Sequence, residues 1–455
     1  MALSAGKKLM YSLGQFGLVL SSYGVLKLFS VFYVTQKDSP YPVFIWQGYL
    51  FGLFTVAGLI IALGRLFDAG AGVLLGWASD RNLMKKGRRT GFMSAAALPL
   101  AFFSVLVFFP PTAESYVFNT ISVLIVSVLF FFFLSLYTAP YLALLSEIGS
   151  GTRDRTQLST LMACATAFAS LSGNFAFSSL DPIMSLTGFT RAGAFRLVAA
   201  CFGVVSAVCL ALPAFLIKEK AFSDAEPVQD SLGESFRIVL KDSYFRHYLI
   251  ADAMYRIAAA FTITGFSYYV TVLLGLPGSL ISFYMLLIFF ANLALYIPVC
   301  VLTCIVGKRK MLFSAFLMLM VFLVAASFAG RYPFESHAQG IFLSLLVSLP
   351  IAIFTVVPNA LIADLAVANR RKTDQLRGGM YFGVHSIVSK AGQLVAALLF
   401  PTIVSIDSAR VSGSQGSGMT GIRLTLIIAA VISFVGFLFL FGYREKEVTV
   451  LLEKE

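Results

Sequence analysis

Gly64-Arg65-Leu66-Phe67-Asp68-Ala69-Gly70-Ala71-Gly72-Val73-Leu74-Leu75-Gly76-Trp77-Ala78-Ser79-Asp80-Arg81, followed by Lys85-Lys86-Gly87-Arg88-Arg89, begins in an apolar run and closes in a dense cluster of positive charge. The run before it, Phe44 to Ala62, holds no charged residue. Arg65 and Asp68 therefore fall where a charge costs roughly 2.5–3.5 kcal/mol to insert. A chain keeps such residues when they face a partner, a cavity or an ion. At i, i+3 they also stand close enough to neutralise one another. Either way the stretch reads as a membrane span that carries ionisable groups.

The composition agrees. Of 455 residues, 58% are hydrophobic and 12% charged, against about 25% charged in a soluble protein. The net charge of +12 is not a nucleic-acid signal, because the basic residues fall in short clusters between apolar runs. That is the orientation signal of a membrane protein, with anionic membrane lipid as the natural contact. Cys164, Cys201, Cys209, Cys300 and Cys304 all lie within apolar runs, so neither a disulfide framework nor a metal site is expected, and no cofactor. Met1 to Lys8 precedes a long apolar run without a small-residue cleavage site and is expected to be retained.

At about 20 apolar residues per crossing, the chain divides into twelve expected spans, near 9–35, 44–78, 90–109, 116–147, 157–180, 191–217, 244–274, 278–304, 310–329, 338–364, 377–404 and 420–443. Span length and the lack of period-2 alternation predict an all-α integral membrane protein rather than a barrel. Several runs exceed the bilayer thickness, which predicts tilted helices that project beyond it. Lys and Arg crowd one set of loops: Arg81, Lys85, Lys86, Arg88 and Arg89; Arg153 and Arg155; Lys218, Lys220, Arg237 and Lys241; Lys308 to Lys310; Arg370 to Lys372. The other set holds little beyond Lys37, Arg331 and Arg410. Both termini are thus expected to be cytoplasmic.

The widest polar stretch, with Pro227 and several acids, separates two halves of six spans, giving expected domains at 1–217 and 243–455 around a central loop 218–242. Its piece Phe236-Arg237-Ile238-Val239-Leu240-Lys241 is amphipathic and suited to a membrane surface. The halves echo each other. Ala143-Leu144-Leu145-Ser146-Glu147 before Arg155-Thr156-Gln157-Leu158 matches Ala360-Leu361-Ile362-Ala363-Asp364 before Arg371-Lys372-Thr373-Asp374-Gln375-Leu376. Gly87-Arg88-Arg89 matches Gly307-Lys308-Arg309-Lys310. Two matching halves are the mark of a transporter that rocks about a central site.

Here the residues resemble a known family. Gly76-Trp77-Ala78-Ser79-Asp80-Arg81 with Gly87-Arg88-Arg89 resembles the loop signature of the major facilitator superfamily, with a few residues inserted. Arg65-Leu66-Phe67-Asp68-Ala69 with Gly76-Trp77 resembles more narrowly the glycoside–pentoside–hexuronide:cation symporters, which include the melibiose carrier and, more distantly, animal sodium-dependent lysophospholipid transporters. Pro140-Tyr141, Arg153 to Leu158, Tyr381-Phe382-Gly383-Val384 and Lys390-Ala391-Gly392 agree in the same order along nearly the whole chain. The resemblance implies the fold of that superfamily and alternating access, with solute and cation bound together. It places Asp68 on the first cation-site carboxylate, Arg65 on the neighbouring arginine, Ser135 on a span-four hydroxyl of the cation site, and Lys390 on the span-eleven lysine facing the site.

Departures from the pattern carry as much weight. The family usually has Asn-Asp three and four residues after the first Asp, where this chain has Ala71 and Gly72. A sodium ion wants several oxygen ligands, and Asp68, Ser135, Thr138 and backbone carbonyls remain. Gly72 and Gly76 instead form a small-xxx-small face suited to close helix packing. The melibiose carrier's sugar acids in spans one and four are Val19 and Thr138 here, and its span-five arginine is Ala163. The resemblance thus implies the scaffold with a rewritten substrate site.

Other charges lie inside the spans. Asp252 and Arg256 stand one turn apart in span seven, Arg256 roughly 18 Å in from the end; they form either a self-neutralised pair or a gate or substrate contact. Lys390 and His385 share span eleven, five residues apart and not well on one face. Lys390 reads as a cavity residue or a snorkelling one, and Lys27 likewise. If these cations converge, they favour a substrate with negative charge. Uncharged candidates are Tyr11, Gln15, Ser21, Asn174, Tyr268, Tyr269, Asn292 and Gln393; for the tyrosines, packing is the ordinary alternative. Asp80, Arg81, Arg88 and Arg89 read as a charge lock that breaks and re-forms, or as a helix cap with orientation charge.

The expectation is a monomeric secondary active transporter of the plasma (bacterial inner) membrane. It would move a small organic solute, by family default a sugar or glycoside, with sodium or a proton as coupling cation. Rivals are an amphipathic lipid such as a lysophospholipid held by Lys390, and an uncoupled facilitator. A channel would need a ring-like pore motif. An enzyme would need a clustered constellation, and His247, His337 and His385 are scattered without triad or metal spacing.

Overall fold

Within hydrocarbon no water meets the peptide groups, so long runs of Leu, Phe, Val and Ala can satisfy them only by coiling into helices. The computed structural model follows that rule. It describes residues 3–34, 41–50, 54–81, 87–112, 115–217, 219, 228–408 and 419–453. Lys37, Lys85, Lys86, Lys218, Lys220, Pro227 and Arg410, used above to read orientation and the central loop, lie outside them.

The described residues form α1 (Ala5–Tyr33), α2 (Val56–Arg81), α3 (Thr90–Leu106), α4 (Tyr116–Ile148), α5 (Thr152–Ser178), α6 (Leu180–Thr187), α7 (Arg191–Leu216), α8 (Leu232–Lys241) and α9 (Ser243–Leu273). They continue with α10 (Leu280–Val306), α11 (Lys308–Ser327), α12 (Ser336–Thr373), α13 (Gly378–Ser408), α14 (Met419–Phe439) and α15 (Glu445–Glu453). Ten helices are long and apolar enough to cross a membrane; the pair Thr152–Ala176 and Leu180–Thr187, bent by 51°, makes an eleventh if read as one broken span. The apolar helix Thr90–Leu106 is shorter. Each of the twelve expected runs therefore contains a helix, and the chain is an all-helical integral membrane protein.

The second span starts later than its hydropathy suggests, at Val56 instead of Phe44. In the residues before it, Tyr49–Leu50 (β1) pairs antiparallel with Phe54–Thr55 (β2). Aromatic and β-branched residues with Gly48 favour extended backbone over helix. At the other extreme, α12 has 38 residues, which at about 1.5 Å each is roughly 57 Å against about 30 Å of hydrocarbon. Leu74, Leu98, Ile125, Val204, Ile297 and Leu398 are all more than half exposed, as lipid-facing side chains are.

The chain forms two compact units. Unit 1 comprises Met1–Asp154, Leu161–Leu232 and Thr373–Gly383; unit 2 comprises Arg155–Thr160, Gly233–Lys372 and Val384–Glu455. The start of α13, to Gly383, thus belongs to unit 1, and Arg155–Thr160 of α5 to unit 2. In unit 1, α2 packs on α4, α1 and α3 pack on α7, and α3 packs on α4. In unit 2, α14 packs on both α9 and α11. Each unit's first span carries a π-helical turn, Gly24–Leu28 in α1 and Tyr269–Leu273 in α9.

Candidate functional site

In unit 1 the basic loop after α2 is built round Arg89. Gly87, at φ +132°, makes a turn open only to glycine, and α3 begins directly after it. The first amides of that helix have no internal acceptor. Glu219 supplies one, accepting the N–H groups of Arg89 (2.7 Å) and Thr90 (3.0 Å). Arg89 itself is wholly buried, with Nη2 2.5 Å from Asp80 and Nε 2.9 Å from Glu147, and it donates to Ser79 Oγ at 2.6 Å. Arg88 reaches the same Glu147 oxygen at 2.7 Å. Burial works against the Arg89 charge, but Asp80, Glu147 and Glu219 outweigh it and hold its proton more firmly than in an ordinary arginine.

Asp80 has a second task. Its two oxygens accept the N–H groups of Gly379 (2.9 Å) and Met380 (2.8 Å), the first turn of α13. A carboxylate on a helix N-terminus satisfies orphan donors and meets the positive end of the dipole. Below it, Gly76 faces Gly379 backbone to backbone, and Gly72 faces Gly383. The small-xxx-small face expected of Gly72 and Gly76 thus meets a second one, also spaced by four. Arg377 completes the seam, gripping Asp230 through Nε (2.9 Å) and Nη2 (2.5 Å), while Trp77 donates to the Asp230 carbonyl.

Unit 2 repeats the wiring. Gly307 turns at φ +97° and α11 begins at Lys308. Glu445 accepts the N–H groups of Lys308 (2.6 Å) and Arg309 (2.8 Å), as Glu219 does in unit 1. Asp364 takes the place of Glu147, holding Lys308 Nζ at 2.5 Å and Arg155 Nε at 2.5 Å, all buried. The two sequence echoes are therefore one device built twice: a glycine turn, a carboxylate over the new helix, and a buried acid clamping two cations.

The lock residues fall out unequally. Asp80, Arg88 and Arg89 are joined through Glu147, whereas Arg81 is exposed, its guanidinium 5.5 Å from the Trp77 ring centre. Glu147 and Glu219 belong to the cluster and were not singled out by sequence. Glu147 was visible only as part of a repeat, and Glu219 sits among the charges of a polar loop.

The intramembrane groups separate by unit. In unit 1, Ser135 Oγ donates to Asp68, 2.5 Å from Oδ1 and 3.1 Å from its carbonyl. Asp68 is buried, and Arg65 one turn before it is half-buried. Thr138, half-buried, makes no hydrogen bond to Asp68. Gln15 donates to Thr166 at 3.2 Å, and Tyr23 donates to Asn174. Tyr11 and Tyr141 each donate to the other's carbonyl, and Ser21 bonds back to Gly17. Lys27 is exposed within the π turn of α1.

In unit 2, Asp252 is fully buried and its Oδ2 receives His385 Nε2 (2.9 Å), Ser389 Oγ (3.2 Å) and Arg256 Nε (3.3 Å). The Asp252–Arg256 pair is thus formed as the spacing suggested, and His385, 133 positions away, joins it. Lys390 is half-buried one residue past Ser389, and Gln393 is exposed. Asn292 is buried in α10, its Oδ1 without a hydrogen bond. Tyr268 is 42% exposed, its ring tilted on Phe400, while Tyr269 is buried and donates to Phe261. Among the described residues, no group of three or more His, Cys, Asp or Glu could hold a metal ion.

Comparison with known proteins bears on these sites. The sequence model of a family described as MFS/sugar transport protein matches residues 10–445. Among solved structures, the chain is similar to the proton:xylose symporter XylE, a major facilitator superfamily protein, at TM-score 0.67 and 12% identity over 98% of both chains. It is similar to the fucose:proton symporter FucP from E. coli at TM-score 0.69 and 14% identity, over 98% of this chain and 100% of that one. A bacterial homologue of the iron transporter ferroportin gives TM-score 0.69 and 12% identity, over 97% and 99%. These likenesses show the fold of the major facilitator superfamily. No curated protein sequence matches the chain.

Proposed function

Because the chain belongs to the MFS/sugar transport protein family, the glycoside–pentoside–hexuronide:cation symporter group of the superfamily and a family of transporters rather than enzymes, we propose that it moves a sugar, glycoside or sugar acid by alternating access, in symport with a cation bound at Asp68. One observation supports this above others: Asp68, the only acid left of the family's pattern in α2, is buried and bonded to Ser135 of α4. A carboxylate, a hydroxyl and a backbone carbonyl are the oxygen donors a sodium ion or a proton uses. The chain is a monomer with its basic loops and both termini in the cytoplasm, on the positive-inside rule, and its membrane is the plasma (bacterial inner) membrane.

A second reading has its own observation. Gly72, where the family usually carries an acid, is packed on Gly383. A Cβ on Gly383 would come within 3.0 Å of the Gly72 carbonyl oxygen, so the two backbones pack closely here, and glycine brings no side-chain oxygen for an ion. With fewer ligands, coupling passes to a proton or is lost, and an uncoupled facilitator or a carrier of an amphipathic lipid replaces the sodium symporter.

Thermal melting of the purified protein separates these readings. A ligand of the folded state raises the melting temperature by mass action. The panel holds sugars, hexuronates, carboxylates and lysophospholipids, with and without sodium and across pH. A sugar shift that grows with sodium supports symport at Asp68. A shift with lysolipid alone overturns the sugar reading.

A further inference from the structure

We propose that His385 and Asp252 form a proton-binding site in unit 2, and that a carboxylate-bearing solute docking on Arg256 drives a proton onto His385. This deepens the transporter reading and rests on it for the identity of the solute as cargo.

The geometry fixes where the proton goes. Three groups converge on Asp252 Oδ2, and an ionised carboxylate only accepts. His385 must therefore present Nε2–H to Asp252, which leaves Nδ1 as the atom that takes a proton. Gly392 lies against the Ala253 carbonyl and Arg256 Cβ, which presses α13 onto α9 at this level. The titratable and charged groups around the pair are Tyr248, stacked on the His385 ring, with Tyr255 and Arg256 on α9; Lys390 follows on α13, and Tyr443 beyond α14 faces Tyr248.

Exposure separates the roles. Asp252 is 0% exposed and the His385 side chain 10%, but the Arg256 side chain is 28% exposed. Arg256 spends only Nε on Asp252, and its two terminal nitrogens make no hydrogen bond among the described residues. A guanidinium edge with free, parallel donors is shaped for a carboxylate.

Charge conservation then couples the two events. On this proposal the resting Asp252 and Arg256 charges cancel and His385 Nδ1 carries no proton. A docked carboxylate adds one negative charge to a site where an uncompensated charge is costly. A proton from water on Nδ1 restores neutrality as an imidazolium–carboxylate pair. It returns to water when the solute leaves. No bond but N–H forms or breaks, and the proton on His385 offsets the charge of a monoanionic solute.

The chain has three histidines, so imidazole 15N spectra of the purified protein near about pH 7.5 resolve His385, assigned by loss of its signal in His385→Gln. Arg256→Gln removes the guanidinium charge, as a docked anion masks it. His385 should then be imidazolium where the wild type is neutral, and Arg256→Lys should restore the neutral form. Asp252→Asn should be neutral throughout. Saturating D-glucuronate should convert wild type as Arg256→Gln does. A neutral His385 in folded Arg256→Gln overturns the proton site. A response to Arg256→Gln with none to D-glucuronate overturns the carboxylate half. Should Arg256→Gln fail to fold by circular dichroism, the wild-type spectrum with D-glucuronate decides alone. Nothing is transported in these spectra, so their failure is distinct from a failure of accumulation through Asp68.

Discussion

Gly76 and Gly379 touch backbone to backbone, so closely that a Cβ on either would run into the other's carbonyl. They lie 303 positions apart in sequence, at the end of α2 and the start of α13. The contact brings the Asp80 carboxylate over the amides of Gly379 and Met380. Gly379→Ala should therefore lower the melting temperature by several degrees, for an overpacking cost of about 1–3 kcal/mol. Gly70→Ala, with open space at its Cβ, is the control and should melt as wild type. Equal melting of the two variants would remove the contact from the stability account.

Asp80 and Arg89 are buried together. Removing one partner strands the other charge, at about 3–5 kcal/mol. Asp80→Ala and Arg89→Ala should each destabilise strongly, and the double variant by clearly less than their sum. A double-mutant cycle in chemical denaturant reads the coupling, and additivity would mean the pair is not energetically linked.

The duplicated clusters differ in one respect. Arg88 and Arg89 share Glu147, and Arg89 also has the Asp80 carboxylate, whereas Lys308 Nζ has Asp364 and, beside it, only the neutral carbonyl of Ala360. Asp364→Asn should thus lower folded yield and melting temperature more than Glu147→Gln. Size-exclusion profiles in one detergent, with melting curves, check the order.

Much of this was legible in sequence, and what was not has a physical reason. Hydropathy and loop charge are local, so the helices and the matching Gly-basic turns could be read directly. The Gly72–Gly76 face could be seen on one helix, but its partner Gly379–Gly383 lies on a helix that only the fold brings near. His385 read as an isolated polar residue, because its link to Asp252 spans 133 positions. Arg81 was grouped with Asp80 by adjacency; at the end of a helix, its side chain points instead to Trp77. The start of α2 was misplaced because hydropathy does not distinguish an apolar extended strand from an apolar helix.

Ser135 positions Asp68 through a charge-assisted bond of about 1.5–3 kcal/mol. Ser135→Ala should weaken cation-driven uptake by roughly tenfold or more, seen as a higher cation concentration for half-maximal uptake. Thr138→Ala, with no bond to Asp68, should change it little.

The most direct measurement is solute accumulation in proteoliposomes under an imposed sodium or proton gradient, wild type beside Asp68→Asn. The wild type should concentrate its solute above the outside level. Asp68→Asn should remain folded and equilibrate the solute without concentrating it. Accumulation by Asp68→Asn at the wild-type level would contradict coupling at Asp68.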